Sequence, residues 1–227
     1  MEDLEIDFKP TFDDLNQIKS WGSNLDSNFS TILQSLNSSD LIVAKYKNEI
    51  VSYFACSKKE VTIFISLAET KKEFQKKGIA GTILKTLITH FKSSHFKAFY
   101  LYCSPQESQY FWTKVGFKYF PKDSDHRKIF MYKIFGEVKS PEVCNDVQFK
   151  DYIEIWDKEW PDKNETPKWI CELEFKKGSN ELLKPILFFG NCKWQIKVVK
   201  NNTLKILRYK ELDRNSEIYE CFYIPII

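Results

Sequence analysis

Gln75-Lys76-Lys77-Gly78-Ile79-Ala80-Gly81 lies between an apolar, strand-like stretch, Val61 to Ala68, and a helix-like stretch, Thr82 to Phe91. A turn of small residues that opens a helix lets backbone N–H groups come close to an anion. The unpaired donors and positive dipole end of the first helical turn add to that attraction. Gly78 removes the side chain where a ligand comes nearest, Lys76 and Lys77 bring positive charge, and Ala80 and Gly81 keep the helix entrance narrow. The run is expected to hold a pyrophosphate, although a bland strand-to-helix turn fits the same letters. It lacks the second glycine and following Lys-Ser or Lys-Thr of a nucleotide triphosphatase loop, and the first glycine pair of a dinucleotide fingerprint.

Further along comes Tyr110-Phe111-Trp112-Thr113-Lys114-Val115-Gly116-Phe117, an amphipathic helical turn that stops at a glycine and enters a new strand. The two segments in this order, Gln-Lys-Lys-Gly-Ile-Ala and then Phe-Trp-x-x-x-Gly-Phe, resemble the GNAT superfamily of acyl-CoA-dependent N-acetyltransferases. The stretch Asp40 to Ala55 is similar to that family's first hairpin, with Ser52 where a glycine is usual. The resemblance spans residues 1 to about 136 and implies an α/β (α+β) fold, a mixed, mostly antiparallel sheet flanked by helices. It also implies acetyl-CoA as co-substrate and an amine as acceptor.

Carried over residue by residue, the resemblance implies that the strand ending Ala68-Glu69-Thr70 splays from its neighbour and pairs with the pantetheine arm. The thioester carbonyl is then expected near the amide of Thr70. Gln75, Lys76, Lys77, Gly78, Ile79, Ala80, Gly81 and Thr82 are expected around the pyrophosphate, with Phe111 packing near the pantetheine. Glu69 is the candidate general base, the plain alternative being a solvated or substrate-recognising carboxylate. Trp112 stands where the family has a tyrosine, and an indole N–H is not an ordinary proton-transfer acid. Tyr100, Tyr102, Tyr110 and Tyr119 are further candidates for that proton. Cys103, inside an apolar strand, reads as an inert core thiol, and His90, His95 and His126 read as surface or helix-end residues.

The 227 residues allow one large domain or two small ones, and the net charge of +3 argues against an obligate polyanion binder. Six scattered cysteines with no C-x-x-C pair indicate neither a zinc site nor a disulfide framework. Met1 to Pro10 is acidic and alternating, unlike a secretory signal, and no apolar run approaches membrane-spanning length, so a cytoplasmic protein that engages no membrane is expected.

Periodicity predicts a strand at Glu5–Lys9, helices from Thr11 to about Trp21 and over Ser27–Leu36, and a hairpin of 41–46 with 50–56 turning at Lys47-Asn48. Val61–Ala68, apolar at nearly every position, reads as a strand covered on both faces. A strand over 98–103, a helix over Pro105–Val115 and a strand pair, 117–120 with 129–135, follow. Their link, 121–128, is polar. Residues 1–136 form the expected acetyl-CoA-binding domain, and 140–227 a smaller, mainly β domain with strands at 193–199 and 203–209, joined at Asn201-Asn202, and at 217–223. Acidic 142–174 and basic 176–210 could neutralise each other.

Two other readings stay open. Under the acetyltransferase reading the second domain is expected to contribute substrate recognition or contacts with a second copy, whereas loss of the tyrosine fits a non-catalytic acyl-CoA-binding module whose second domain makes a protein contact. The hairpin bearing Lys193, Trp194, Lys197, Lys200, Lys205, Arg208 and Tyr209 has the residue types of a nucleic-acid surface, though alternation does not place all its charges on one face.

Overall fold

The computed structural model describes residues 3–21, 28–121, 129–144, 149–191, 193–208 and 221–227. The expected features at Ser27, 122–128 (with His126), Cys192, Tyr209 and 217–220 lie outside the described residues. The chain divides into two compact units, Met1–Lys118 with Lys128–Gly136, and Tyr119–Arg127 with Glu137–Ile227.

β1 (Leu4–Asp7), β2 (Leu41–Tyr46), β3 (Glu49–Lys59), β4 (Thr62–Thr70), β5 (Ala98–Tyr102), β6 (Lys118–Tyr119) and β7 (Phe130–Ile134) form one sheet in the order β1-β2-β3-β4-β5-β7-β6, the sheet of the first unit, whose boundary falls within β6. β4 and β5 run parallel, while β1–β2, β2–β3, β3–β4 and β5–β7 are antiparallel. The β2–β3 turn places Lys47 and Asn48 at φ 50° and 65°, the backbone a two-residue hairpin requires.

Helices cover both faces of this sheet. On one, α1 (Phe12–Lys19) and α2 (Phe29–Asn37) bury Leu15, Ile18 and Ile32 against Leu41, Val43, Ile50 and Tyr53. Thr11 opens α1 with a capping box shared with Asp14, whose carboxylate also meets Lys45 at 3.0 Å. On the other face, α3 (Ile79–Phe91) inserts Ile79, Ile83, Leu84 and Leu87, spaced at three and four residues, against Phe54, Ile63, Ile65 and Phe99. The expected helix from Pro105 is shorter: a 3₁₀ turn, Gln106–Ser108, precedes α4 (Gln109–Lys114). Neither Pro105 nor Ser108 caps it with a side chain, so the first turn tightens instead.

The second unit is built of strands. β8 (Glu142–Val143), β9 (Tyr152–Ile155), β10 (Trp169–Glu172), β12 (Gln195–Lys200) and β13 (Thr203–Arg208) form a sheet in the order β13-β12-β9-β10-β8, and β11 (Glu181–Phe189) pairs with β14 (Cys221–Ile226). Both sheets feed one core that includes Ile153, Ile155, Ile186, Phe188, Trp194, Ile196 and Phe222. Asn201 and Asn202, both at positive φ, turn the β12–β13 hairpin.

Acidic and basic stretches meet within this unit. Lys197 lies 3.2 Å from Glu154, its partner across β9–β12, and Arg208 lies 3.2 Å from Glu159. Lys200 donates to Asn180 and to the carbonyl of Ile227, and Trp194 is buried. Much of the hairpin proposed for phosphate and base contact is therefore spent on internal bonds and core.

Candidate functional site

β4 pairs with β3 along its whole length but with β5 only at Thr62, Ile63 and Phe64. The register against β3 skips Ser66 between Ile65 and Leu67, a bulge that bends β4 where its pairing with β5 stops. Beyond it Ala68 and Glu69 are exposed, so the covering of both faces expected from the apolar sequence holds only for the first half of the strand. The Lys71 N–H donates to the carbonyl of Val51 at 2.9 Å, which by period-two alternation turns the amides of Ala68 and Thr70 away from β3. They line a strand edge on the side β5 has left, where an extended partner could add as another strand.

The basic turn is tied to this strand end. After β4 a 3₁₀ turn, Lys72–Phe74, leads to Gln75, whose side-chain amide donates to the carbonyl of Thr70 at 3.0 Å. The Gln75 side chain thus anchors the loop. Lys71 is ion-paired with Glu49 and with Glu73, and Lys77 lies over the Phe74 ring, 5.0 Å from its centroid. Lys76 and Lys77 are exposed, with no carboxylate in ion-pair range among the described residues.

Gly78 precedes α3 at φ +82°, a conformation costly for any residue with a Cβ, and it gives the helix no side-chain cap. The Thr82 N–H is the first to close the helical ladder, onto the Gly78 carbonyl at 3.0 Å, while its hydroxyl donates to the same oxygen at 3.3 Å. The N–H groups of Ile79, Ala80 and Gly81 precede that bond and point out of the helix entrance. A Cβ placed on Gly78 or Gly81 would meet nothing within 4 Å, so the space over these amides is open. Ile79 is buried and fixes the entrance to the core.

At the end of β4, two neighbouring residues of β3 hold the strand from its two faces. Ser52, fully buried, donates its hydroxyl to the Glu69 carbonyl at 2.8 Å and lies 2.8 Å from the Thr70 hydroxyl. Tyr53, 1 % exposed, donates its phenol to the Glu69 carboxylate at 3.0 Å. Burial, then the charge of Glu69 and this bond, push the Tyr53 phenol far above its ordinary range, so it stays a donor. Sequence reading weighed four other tyrosines and passed over Tyr53; the signal was its place opposite Glu69 in the β3–β4 register. Ser52→Ala is expected to cost about 1–2 kcal/mol in urea unfolding by leaving buried groups unpaired. A loss near zero would mean that the Ser52 hydroxyl does not secure the strand.

Phe111 is half-buried on α4 and packs with Trp112, ring centroids 4.9 Å apart. Trp112 itself is 6 % exposed inside the α3-side core. Tyr110 is largely exposed, Tyr119 and Tyr102 are partly exposed and Tyr100 is buried. Cys103 is a buried thiol, pushed above its ordinary range by that burial. Among the described residues no helix is long and apolar enough to cross a membrane, and no group of three or more metal-ligating side chains is found.

The first unit is a mixed, mostly antiparallel α/β fold that opens between two parallel strands beside an uncapped helix entrance. The family described as "Acetyltransferase (GNAT) domain" matches residues 15–129, just over half of the chain, and the protein belongs to that family. Among solved structures, the PaiA N-acetyltransferase from Thermoplasma acidophilum in complex with coenzyme A is 17% identical, with a TM-score of 0.48 over 58% of this chain and 99% of that one. A GNAT family acetyltransferase from Bacillus cereus is 18% identical, with a TM-score of 0.47 over 58% and 96%. N-acetylglutamate synthase from Neisseria gonorrhoeae, complexed with coenzyme A and N-acetyl-glutamate, is 9% identical, with a TM-score of 0.49 over 58% and 35%. No curated protein matches the chain.

Proposed function

We propose that this protein transfers an acetyl group from acetyl-CoA to an amine. One observation carries the reading: the opened edge of β4, ending in Glu69, is bonded through Gln75 to a basic loop whose helix entrance has three amides free to meet an anion. Acetyl-CoA would supply a thioester whose acetyl group moves to nitrogen, a C–N bond forming as the C–S bond breaks, with the coenzyme leaving as a thiolate that takes its proton from water. The amides of Ile79, Ala80 and Gly81, with Lys76 and Lys77, would hold the pyrophosphate. The backbone of Ala68 and Thr70 would take the pantetheine arm, with Phe111 packing near it, and the Thr70 N–H would stabilise negative charge on the thioester oxygen. Glu69 would accept the proton the amine loses.

The test is calorimetry with acetyl-CoA on the full chain. Gly78→Asp is expected to raise the dissociation constant at least about tenfold, or about 1.4 kcal/mol, by setting a negative charge over the loop. Gly78→Asn, whose side chain is neutral and tolerates left-handed backbone, is expected to lose less. Unchanged affinity in a folded Gly78→Asp protein would overturn the assignment of the loop. Release of CoA against a panel of amines then separates catalysis from binding alone. The second reading, a non-catalytic acyl-CoA-binding module, is favoured by Trp112, which sits in the core and has no hydroxyl to give a departing thiolate. Binding with no CoA release on any amine would select it.

A further inference from the structure

We propose that Tyr53 is a positioning residue that fixes the Glu69 carboxylate at the opened edge of β4. The inference rests on Glu69 accepting the amine's proton and deepens that reading, because a strand-end glutamate on a flexible side chain has no defined place without a partner.

Tyr53 is the partner. Its ring is held among the buried residues that α1 and α2 contribute, with the Trp21 ring at 5.7 Å, so the phenol is a rigid donor rather than a mobile one. The register pairs Tyr53 with Glu69, so the two side chains leave the same face of the sheet, and the phenol bonds one carboxylate oxygen at 3.0 Å. The carboxylate is exposed and has no cation in ion-pair range among the described residues. One neutral hydrogen bond therefore sets its orientation and leaves the other oxygen for a proton. A lysine or arginine in place of the phenol would neutralise the charge that a base needs. Burial keeps the phenol protonated, so Tyr53 donates throughout and takes no proton from the reaction. Ser52 fixes the backbone of the same residue from the other side, so both the main chain and the side chain of Glu69 are set by β3.

The alternative is that Glu69 exists to satisfy a buried phenol and Tyr53 acts on stability alone. Tyr53→Phe keeps the ring and its packing and removes only the donor. In the full chain it is expected to keep the circular dichroism spectrum and to hold acetyl-CoA affinity within about twofold. It is also expected to lower kcat for CoA release roughly ten- to a hundredfold, with KM for the acceptor little changed. The acceptor is the amine of the panel that turns over fastest; if no amine is used, the inference falls together with the reading it rests on. Added to Glu69→Ala, Tyr53→Phe is expected to change kcat by less than about twofold, since nothing is left to position. The carboxyl ¹³C resonance of Glu69, assigned by its loss in Glu69→Ala, is expected to move in Tyr53→Phe without any substrate present.

A Tyr53→Phe protein with unaltered kcat, an equal loss in both backgrounds, or an unmoved Glu69 resonance would overturn the inference. Failure of the underlying reading looks different: Glu69→Ala would then leave kcat intact, and Glu69 would be no base for Tyr53 to position.

Discussion

Trp112→Ala is expected to lower the free energy of unfolding by about 3–5 kcal/mol, the range for truncating a large buried aromatic side chain. The indole is 6 % exposed and touches rings from three places: Phe54 on β3 at 6.0 Å, Phe111 on α4 at 4.9 Å and Phe117 after α4 at 5.0 Å between centroids. Its removal opens a space that these rings, each fixed by other core contacts, can only partly close. Urea unfolding followed by far-ultraviolet circular dichroism checks this, with a lower midpoint at unchanged slope as the expected form. A loss below about 1 kcal/mol would mean that the indole is not packed as described. Trp112→Phe keeps an aromatic ring and is expected to lose less. Through these ring contacts Trp112 packs α4 against the sheet.

Glu69→Gln is expected to lower kcat for CoA release roughly 100-fold or more, as loss of a positioned general base does. Glutamine matches glutamate in shape and its carbonyl oxygen can still accept from Tyr53, so the strand end is preserved. What it cannot do is take a proton. Acetyl-CoA affinity should stay within about twofold, because the loop and the β4 backbone are untouched. A variant with full kcat would remove Glu69 from the chemistry, whereas one that also failed to bind acetyl-CoA would show that the substitution disturbed the β4 edge.

Much of the loop was legible because its physics is local. Gly78 at the entrance of α3 and the apolar spacing of Ile79, Ile83, Leu84 and Leu87 follow from backbone freedom and helical period within one short stretch. The hairpin turns at Lys47-Asn48 and Asn201-Asn202 follow from two-residue loops that demand positive φ. The opposed charges of the second unit were visible as composition, although their pairing as Lys197 with Glu154 and Arg208 with Glu159 required the β9–β12–β13 register.

The letters of β4 mark an apolar strand but not where its second neighbour leaves it. That point is set by the Ser66 bulge against β3 and by three pairs with β5, the latter between residues more than thirty positions apart. Ser52 read as a departure from a usual glycine, and only its place opposite Thr70 shows that its hydroxyl secures the strand. Tyr53 passed as one aromatic among many until the register put it against Glu69. The sequence by itself determined the elements of the first unit, the turns and the basic helix entrance, because backbone preference and hydrophobic period act within a few residues, whereas β8, β9, β10 and β11 of the second unit were not expected from it. The tertiary structure alone decided which side chains share the end of β4, since strand register has a period of two and a slip of one residue would send Tyr53 and Glu69 to opposite faces of the sheet.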